Sequence, residues 1–206
     1  NKNINDWIKP ANQPLTFDIK GVGKPMDVTL IPFYKMYNQY YSVYFDYFTD
    51  SAFAKRQSAY EAEKKAQQEI EEKTIDNFRI GEMQPERDHH LFATEKSYTD
   101  EAIGRMGREA RRENYFMFDM KIQPGVANSL LLTLLGDDKD RKFDIFVDDV
   151  LLATEEWKGG ITGKFYDRIY SIPGELIKNK TTIKIKISAN YKKTAGRIFG
   201  VRIIKQ

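Results

Sequence analysis

The chain has 206 residues, a formal net charge of +3 at neutral pH, two histidines and no cysteine, and 41% of its residues are hydrophobic. The absence of cysteine excludes disulfides, thiolate metal ligands and cysteine nucleophiles. The balance of 33 basic and 30 acidic residues gives no reason to expect a nucleic-acid partner. No apolar run approaches the roughly 20 residues of a membrane-spanning helix, so we expect no membrane insertion.

Residues 1–48 are predicted to form a short β segment. Apolar and polar residues alternate over 15–19, and 27–31 and 40–48 are further strand candidates. A few strands without a complete partner sheet make a poor domain alone. We therefore interpret 1–48 as the terminal strands of a larger sandwich, which pack on the rest of this chain or on sequence outside it.

Residues 49–91 are predicted to be a connector helix and a linker. The stretch from Ser51 to Lys73 contains neither glycine nor proline and is rich in good helix formers, and Asp50 or Ser51 can cap it. Its apolar stripe is thin, which favours a largely solvated helix over a coiled coil. Residues 76–91 are polar and contain glycine and proline, so we predict a linker there.

Residues 92–206 are predicted to form an antiparallel, jelly-roll-like β-sandwich of the galactose-binding-like type. The runs 115–122 and 183–187 alternate apolar and polar residues, and turn signals recur between them. Asp148 and Asp149 separate two apolar runs, which indicates a hairpin. The fold class is therefore mainly β, with the sandwich preceded by the helix and the short β segment.

Two clusters of polar residues could be interpreted as metal sites, and in both cases we favour a simpler interpretation. Adjacent His89 and His90 in an extended segment point to opposite faces, which predicts one buried and one exposed histidine. Asp137, Asp138 and Asp140 lack the spacing of a calcium loop and alternate with basic residues. We predict a solvated turn for these aspartates and no metal site.

Aromatic and arginine side chains supply the candidates for ligand binding. A sugar site needs a flat aromatic face and a few polar groups that orient hydroxyls. Trp157, Tyr166 and Tyr191 stand in or beside predicted loops and could supply such faces, although Trp157 could equally cover the end of the sandwich. Arg108 lies in a basic cluster, with Arg105 among its members, that could bind an anionic sugar or form a partly solvated loop paired with nearby glutamates.

No pattern in the sequence selects catalytic residues. Acid–base hydrolysis needs two carboxylates held at set distances, and nothing distinguishes a pair among the 30 acidic residues. The glycines at 159, 160 and 163 do not form a phosphate-binding loop. We therefore expect no catalytic residue, no metal ligand and no cofactor in this chain.

Several stretches carry a family resemblance. In the first part of the chain they are residues 17–19, 30–36 (Leu-Ile-Pro-Phe-Tyr-Lys-Met) and 40–45. In the second part they are His90 and residues 97–99, 116–122, 143–148, 163–167 and 200–202. Segment 7–48 resembles the end of β-L-arabinofuranosidase-like glycoside hydrolases (family 127-like) of Bacteroidetes. Segment 88–206 looks like the extra C-terminal β domain that many of these enzymes carry.

The resemblance implies a non-catalytic piece of a larger enzyme. In that family an upstream helical barrel carries catalysis, with acidic residues and, in characterised relatives, a zinc-bound cysteine. Where relatives tend to carry Trp-Arg-x-Ala, this chain has Gly107-Arg108-Glu109-Ala110, so a ligand surface formed there would be altered. The implied location is the periplasm or cell surface, and the implied partners are the parent's catalytic barrel and a plant glycan.

Three functions follow as hypotheses. The first is interdomain scaffolding in a plant-polysaccharide-degrading glycosidase. The second is a carbohydrate-binding module, and the third is a dimerisation domain that pairs through the strand edges of residues 1–48. An independent enzyme is the least favoured interpretation.

Overall fold

The computed structural model describes residues 4–21, 27–35, 48–160 and 162–206. The fold is mainly β, as predicted. Residues 1–55 and 56–206 form two separate compact units. In the first unit, a short helix precedes an antiparallel sheet, and a 3-10 turn follows it at Phe33–Lys35. The elements are α1 (Ile4–Trp7), β1 (Ile8–Pro10), β2 (Phe17–Ile19) and β3 (Val28–Leu30).

Only part of the predicted β segment can be compared with the structure. Strands β2 and β3 agree with the predictions for 15–19 and 27–31, and β1 was not predicted. The strand predicted over 40–48 lies almost wholly outside the described residues. Ile19 is buried in this small sheet, whereas Phe33 and Tyr34 in the turn after it are exposed.

Helix α2 (Asp50–Lys73) agrees with the predicted connector helix, and none of its described residues is buried. Its cap is Thr49, one residue before the predicted caps. The Thr49 hydroxyl accepts a hydrogen bond from the Ala52 backbone N–H at 3.2 Å, which satisfies one of the free donors at the helix start. None of the described helices has the length and apolarity needed to cross a bilayer.

The second unit is a two-layer sandwich. Its remaining elements are β4 (Thr74–Phe78), α3 (Met83–Asp88), β5 (Phe92–Ala93), β6 (Ser97–Ala102), β7 (Arg105–Arg111), β8 (Tyr115–Lys121), β9 (Asn128–Leu135), β10 (Arg141–Val147), β11 (Val150–Trp157), β12 (Phe165–Ser171), α4 (Gly174–Ile177), β13 (Thr182–Ala189) and β14 (Thr194–Lys205). The eleven strands that the structure describes in this unit are hydrogen-bonded into one continuous sheet, in which a single parallel bridge between Arg141 and Thr194 joins β10 to β14. This bridge connects the two layers, which we call the two sheets of the sandwich. One sheet has the order β11-β10-β13-β8-β5. The other has the order β12-β9-β14. On its second edge, β14 pairs with β4 over residues 201–204 and with β7, the inner strand of the β7-β6 hairpin, over residues 194–198.

The core lies between the two sheets and follows the period of two that the sequence shows. From β8, β13 and β10 the inward residues are fully buried: Phe116, Phe118, Met120, Ile183, Ile185, Ile187, Phe143, Ile145 and Val147. The facing sheet contributes Leu130, Leu132, Val201 and Ile203. The residues between them point outward on β8 and β13, so these two strands present a solvated face.

The predicted linker differs from the structure. Residues 74–78 form strand β4, which pairs antiparallel with β14 and places Phe78 against Val201. Phe78 and Ile80 are fully buried in the core. The sandwich therefore begins at Thr74 and not at 92, because two apolar side chains in a polar segment are enough to anchor a short strand.

The Asp148–Asp149 hairpin is confirmed. Val147 pairs with Val150, and the two aspartates between them have φ values of 46° and 65°. Positive φ at both central residues is the conformation of a two-residue type I′ turn, whose twist matches that of the flanking strands. Asp148 also accepts a hydrogen bond from the Lys184 backbone N–H at 2.8 Å, which ties the turn to β13.

Candidate functional site

The structure brings Trp157 and Tyr166 together. Trp157 ends β11 and Tyr166 lies near the start of β12, so the predicted loop positions are in fact the ends of two edge strands. The ring centroids lie 4.5 Å apart with the planes tilted by 32°. The Arg168 guanidinium carbon lies 6.0 Å from the Trp157 ring centroid and 5.9 Å from that of Tyr166. Since β11 and β12 belong to different sheets, this pair closes one edge of the sandwich.

The buried carboxylate of Glu155 contacts two residues of β12 near the pair, Tyr170 and Arg168. The Tyr170 hydroxyl donates to Glu155 Oε2 at 2.7 Å, and Arg168 Nη2 lies 3.4 Å from Glu155 Oε1. Burial raises the pKa of both the Tyr166 and the Tyr170 phenols well above the ordinary tyrosine range, and the Glu155 charge adds to this effect. Both phenols are therefore neutral at any physiological pH.

Unpartnered polar atoms also concentrate at this edge. Within the described residues, the buried side-chain polar atoms without a hydrogen-bond partner are Arg141 Nε, Trp157 Nε1, Tyr166 Oη and Asn190 Oδ1. Arg141 is the cross-strand partner of Trp157, and the Asn190 backbone N–H bonds to the carbonyl of Lys142 next to it. Each unpaired group costs on the order of 1–3 kcal/mol. Such groups in a folded protein call for an explanation, and function is one.

Beside the pair lies a cleft of about 260 Å³ with Trp157 in its wall. We call it the Trp157 cleft. Its lining consists of Lys139, Asp140, Arg141, Lys142, Glu156, Trp157, Lys158 and Lys193. Residues of the β9–β10 turn, the start of β10, the end of β11 and the β13–β14 loop thus meet at one end of the sandwich. The lining is rich in cations and contains one aromatic ring.

The acids of the Trp157 cleft only partly balance its cations. Glu156 accepts a hydrogen bond from Lys142 Nζ at 3.1 Å, and that bond lowers the pKa of the Glu156 carboxyl. Lys158 Nζ lies 3.9 Å from the same carboxylate, and Lys193 pairs with Asp140. Lys139 has no carboxylate within ion-pair distance in the described part of the chain. The cleft therefore carries excess positive charge next to an indole ring.

Tyr191 lies outside this cleft. It occupies the β13–β14 loop, two residues before Lys193, and its side chain is 67% exposed. Lys192 Nζ lies 5.0 Å from the Tyr191 ring centroid. The structure therefore does not bring Tyr191 to Trp157, and Tyr191 provides a matched aromatic control for experiments on the cleft.

Arg108, a candidate for the glycan site, is engaged in an ion pair inside the protein. The arginine-rich segment is strand β7, not a loop, and Arg108 is only 9% exposed. Its Nε and Nη2 donate to the two carboxylate oxygens of Glu86 at 2.8 and 2.7 Å, and Nη1 donates to Ser97 Oγ at 3.2 Å. Three of its five N–H donors are thus used inside the protein, and the bidentate pair with Glu86 fixes the guanidinium in place.

The aspartate loop also differs from the predicted solvated turn. Asp138 is buried, and its carboxylate accepts hydrogen bonds from Arg141 Nη2 at 3.1 Å and Arg197 Nη2 at 2.9 Å. The bond to Asp138 raises the pKa of the Arg197 guanidinium. Asp137 and Asp140 are exposed, as predicted. Among the residues that the structure describes, no three acidic or histidine side chains are grouped as a metal would require.

The prediction for the histidine pair is confirmed. His89 is largely buried and stacks on Phe78 with centroids 4.4 Å apart, while the His90 side chain is 77% exposed. His89 Nδ1 lies 2.9 Å from the Pro85 carbonyl, and His89 Nε2 lies 3.4 Å from Asp76 Oδ1. Both ring nitrogens thus face acceptors, which only the protonated imidazolium satisfies.

This geometry predicts a pH-dependent stability. The hydrogen bond to Asp76 raises the pKa of His89, although burial opposes the rise. For Asp76, burial alone would raise the pKa, but the hydrogen bonds from His89 and the Lys121 N–H outweigh it and lower the value. A raised histidine pKa gives stability that is present below the unfolded value of about 6.5 and is lost as pH rises through the folded value. The Asp76 contribution is lost instead as pH falls below about 4.

We therefore expect the free energy of unfolding to fall as the pH rises above about 6.5 and through the raised pKa of His89. His89→Gln should flatten the dependence of the free energy of unfolding on pH. His90→Gln, which changes the exposed neighbour, should retain more of that dependence than His89→Gln does. Urea denaturation at several pH values measures the slope. An equal slope in wild type and His89→Gln would contradict the assignment.

A second and larger cleft, of about 640 Å³, lies where β4 and β13 begin and β8 and β14 end, and Trp157 does not line it. Its lining is Thr74, Ile75, Lys121, Ile122, Gln123, Pro124, Thr181, Thr182 and Lys205. This lining contains no aromatic ring, so it offers no stacking surface. The Trp157 cleft is therefore the better candidate.

Several solved structures are similar in fold. A family 35 carbohydrate binding module from Clostridium thermocellum gives a TM-score of 0.41 at 8% identity, covering 55% of this chain and 90% of that one. CBM6cm-2 from the Cellvibrio mixtus lichenase 5A, solved with cellotriose, gives 0.44 at 10% identity and covers 65% and 98%. A Podospora anserina GH26-CBM35 β-(1,4)-mannanase gives 0.44 at 9% identity and covers 63% and 27%.

At these TM-scores and identities, the likeness does not indicate what this chain binds. No curated protein matches the sequence. Residues 69–204, which are more than half of the chain and contain most of the sandwich, match the family of unknown function DUF6805. The chain belongs to the DUF6805 family.

Proposed function

We propose that the chain is a non-catalytic accessory module that binds glycan at the Trp157 cleft. The observation that carries the proposal is the indole in the wall of a small cleft whose remaining lining is mainly cationic. An aromatic face and a few polar groups around a concave site are what recognition of a sugar requires.

The position of Trp157 suits a preformed site. Tyr166 contacts its ring, and Arg168 lies near both rings, so the indole is held in place before any ligand arrives. A rigid aromatic side chain loses little conformational entropy on binding. The cleft therefore avoids part of the cost that a mobile loop tryptophan would incur.

The charge of the cleft points to an acidic sugar. The ammonium groups of Lys139 and Lys158 can donate hydrogen bonds to sugar hydroxyls, and they also attract a carboxylate. Both residues are exposed, and Lys139 has no ion-pair partner within the described ranges. A glycan that carries uronic acid would satisfy both the indole and these cations.

The wider setting is also part of the proposal. The resemblance to β-L-arabinofuranosidase-like enzymes supports a parent glycosidase whose upstream barrel acts on plant polysaccharide at the cell surface or in the periplasm. Scaffolding between domains stays compatible with glycan binding, since one module can do both. The cleft favours binding over scaffolding alone, because scaffolding needs no cationic aromatic site.

Binding at Trp157 can be tested with a local probe. In a Trp7→Phe background, Trp157 is the sole tryptophan of the chain, so its fluorescence and its indole N–H resonance report only on the cleft. Arabinose-containing and uronate-bearing plant polysaccharides are the probes. We expect Trp157→Ala to weaken binding at least about tenfold, or ~1.4 kcal/mol. Tyr191→Ala should leave binding unchanged.

The control must separate lost binding from lost structure, because Trp157 also closes the sandwich edge. Trp157→Phe keeps an aromatic ring against Tyr166, and circular dichroism with thermal melting checks that each variant is folded. Glycan affinity that is unchanged in folded Trp157→Ala would overturn the proposal. So would the absence of binding to every polysaccharide tested.

A further inference from the structure

The outer face of one sheet carries a continuous row of side chains that crosses all its strands. The strand registers align Phe92 with Met117, Met117 with Lys186, Lys186 with Phe146, and Phe146 with Leu151. We call this set the crossing row. Its neighbours along β8, β13 and β10 point into the core, so the row points outward. Four inter-strand steps give it a length of about 19 Å.

The crossing row is apolar at its two ends and cationic at its centre. Phe92 and Leu151 are 49% and 54% exposed, whereas Met117, Lys186 and Phe146 are half-buried. Four of the five members are apolar and all are at least partly exposed, and adjoining apolar side chains of this kind mark an interaction site more often than scattered ones do.

Lys186 is the unusual member of the row. Its Nζ lies 4.8 Å from the ring centroid of Tyr115 and 5.2 Å from that of Phe146. No carboxylate of the described residues lies within ion-pair distance of it. The two rings stabilise the ammonium only partly, so its charge remains available to an anion.

The acids on the same face form hydrogen bonds with residues other than Lys186. Asp119 lies 3.1 Å from His90 Nδ1, and Asp144 accepts hydrogen bonds from Thr154 at 2.6 Å and from Asn190 at 2.9 Å. The exposed Lys184 flanks Lys186 along β13. Neither lysine has a carboxylate within ion-pair distance in the described part of the chain, so Lys186 places a positive charge among aromatic rings.

We propose that the crossing row binds an extended acidic polysaccharide, with a uronate carboxylate at Lys186 and sugar rings against the flanking aromatic side chains. Charge complementarity favours this occupant over a protein, since lysine is depleted at the centre of protein interfaces. A flat sheet face also suits a chain of sugar rings that lies across the strands.

The proposal uses no residue of the Trp157 cleft and does not depend on it. The two surfaces share only the class of ligand. If both bind the same polysaccharide, the second contact becomes intramolecular, and the combined affinity exceeds that of either surface.

Methionine methyl resonances provide a test with an internal control. Met117 lies in the crossing row, and Met120, on the same strand, is fully buried in the core. With 13C-methyl methionine labelling, polygalacturonate should shift the Met117 signal and leave that of Met120 unchanged. Neutral arabinan should shift Met117 much less. Met117→Leu assigns the signal.

A charge variant measures the contribution of Lys186. Lys186→Met keeps the aliphatic stem between the rings and removes the charge, so we expect at least a tenfold loss of affinity for polygalacturonate at this surface. Lys178→Met removes the same charge from an exposed lysine beyond α4 and should have little effect.

The outcomes separate this proposal from the proposed function. A Met117 methyl that does not move overturns the crossing-row proposal, even if the Trp157 indole shifts. A Met117 shift without an indole shift supports the crossing-row proposal and overturns glycan binding at the Trp157 cleft. Equal Met117 shifts with inorganic polyphosphate would indicate plain charge attraction and overturn recognition of a polysaccharide, and a shift that follows protein concentration alone would indicate a second copy of the chain instead.

Discussion

Asp138→Ala is expected to lower the free energy of unfolding by about 3–5 kcal/mol, the range for removing one partner of a buried ion pair. The Asp138 carboxylate accepts hydrogen bonds from Arg141, from the Arg197 guanidinium and from the Arg197 backbone N–H at 3.0 Å. Both guanidinium groups are largely buried. Removal of the carboxylate leaves two cations facing each other with fewer acceptors.

The matched control is Asp140→Ala in the same turn. Asp140 is 78% exposed and pairs only with Lys193 in the described structure, and exposed pairs contribute about 0–1 kcal/mol. Urea denaturation of both variants gives the comparison. Equal losses would mean that burial of Asp138 does not govern its contribution. Asp138→Asn, which keeps the shape, should fall between the two.

Glu86→Ala is expected to have a comparable effect, about 3–5 kcal/mol. Glu86 lies in α3, and its carboxylate receives both donors of the Arg108 fork as well as the Gly81 backbone N–H at 2.9 Å. Both side chains of the pair are nearly buried. Without the carboxylate, Arg108 keeps a positive charge in a site with little access to water.

A double-mutant cycle distinguishes the structural role of Arg108 from a ligand role. Glu86→Leu combined with Arg108→Met replaces the ion pair by apolar side chains and should recover much of the stability that Glu86→Ala loses. If Arg108 bound glycan, Arg108→Met would abolish binding without a matching loss of stability. Denaturation and polysaccharide titration of the same variants decide between these results.

Much of the sandwich could be predicted from local pattern. The apolar residues at 116, 118 and 120 and at 183, 185 and 187 alternate with polar residues, and burial follows that period. Asp148 and Asp149 adopt the positive φ values that a tight hairpin demands. These features depend on neighbours in sequence, so the sequence alone indicates them.

Features that depend on distant partners were not predictable in this way. Strand β4 contains few apolar residues, and its partner β14 lies more than 120 residues further along the chain. Arg108 pairs with Glu86, which lies in a segment that composition marks as a linker. Composition cannot distinguish a free arginine from one that a remote carboxylate already binds.

The candidate site shows the same limit. Trp157 and Tyr166 were identified as aromatic candidates, but their contact joins edge strands of two different sheets. The lysines around them come from turns that meet only in the folded chain. The aromatic residue could be predicted from sequence, and the cationic surroundings that suggest an acidic ligand could not.

The position of β14 governs how this domain is completed during synthesis. β14 follows every other strand of the sandwich along the sequence, yet it lies between β9 on one side and β4 and β7 on the other. Strand β4 is made first and has no partner until Thr194–Lys205 leaves the ribosome. A nascent chain that stops short of β14 therefore exposes unpaired strand edges and the apolar faces of β9, which makes it prone to aggregate for as long as the last strand is delayed.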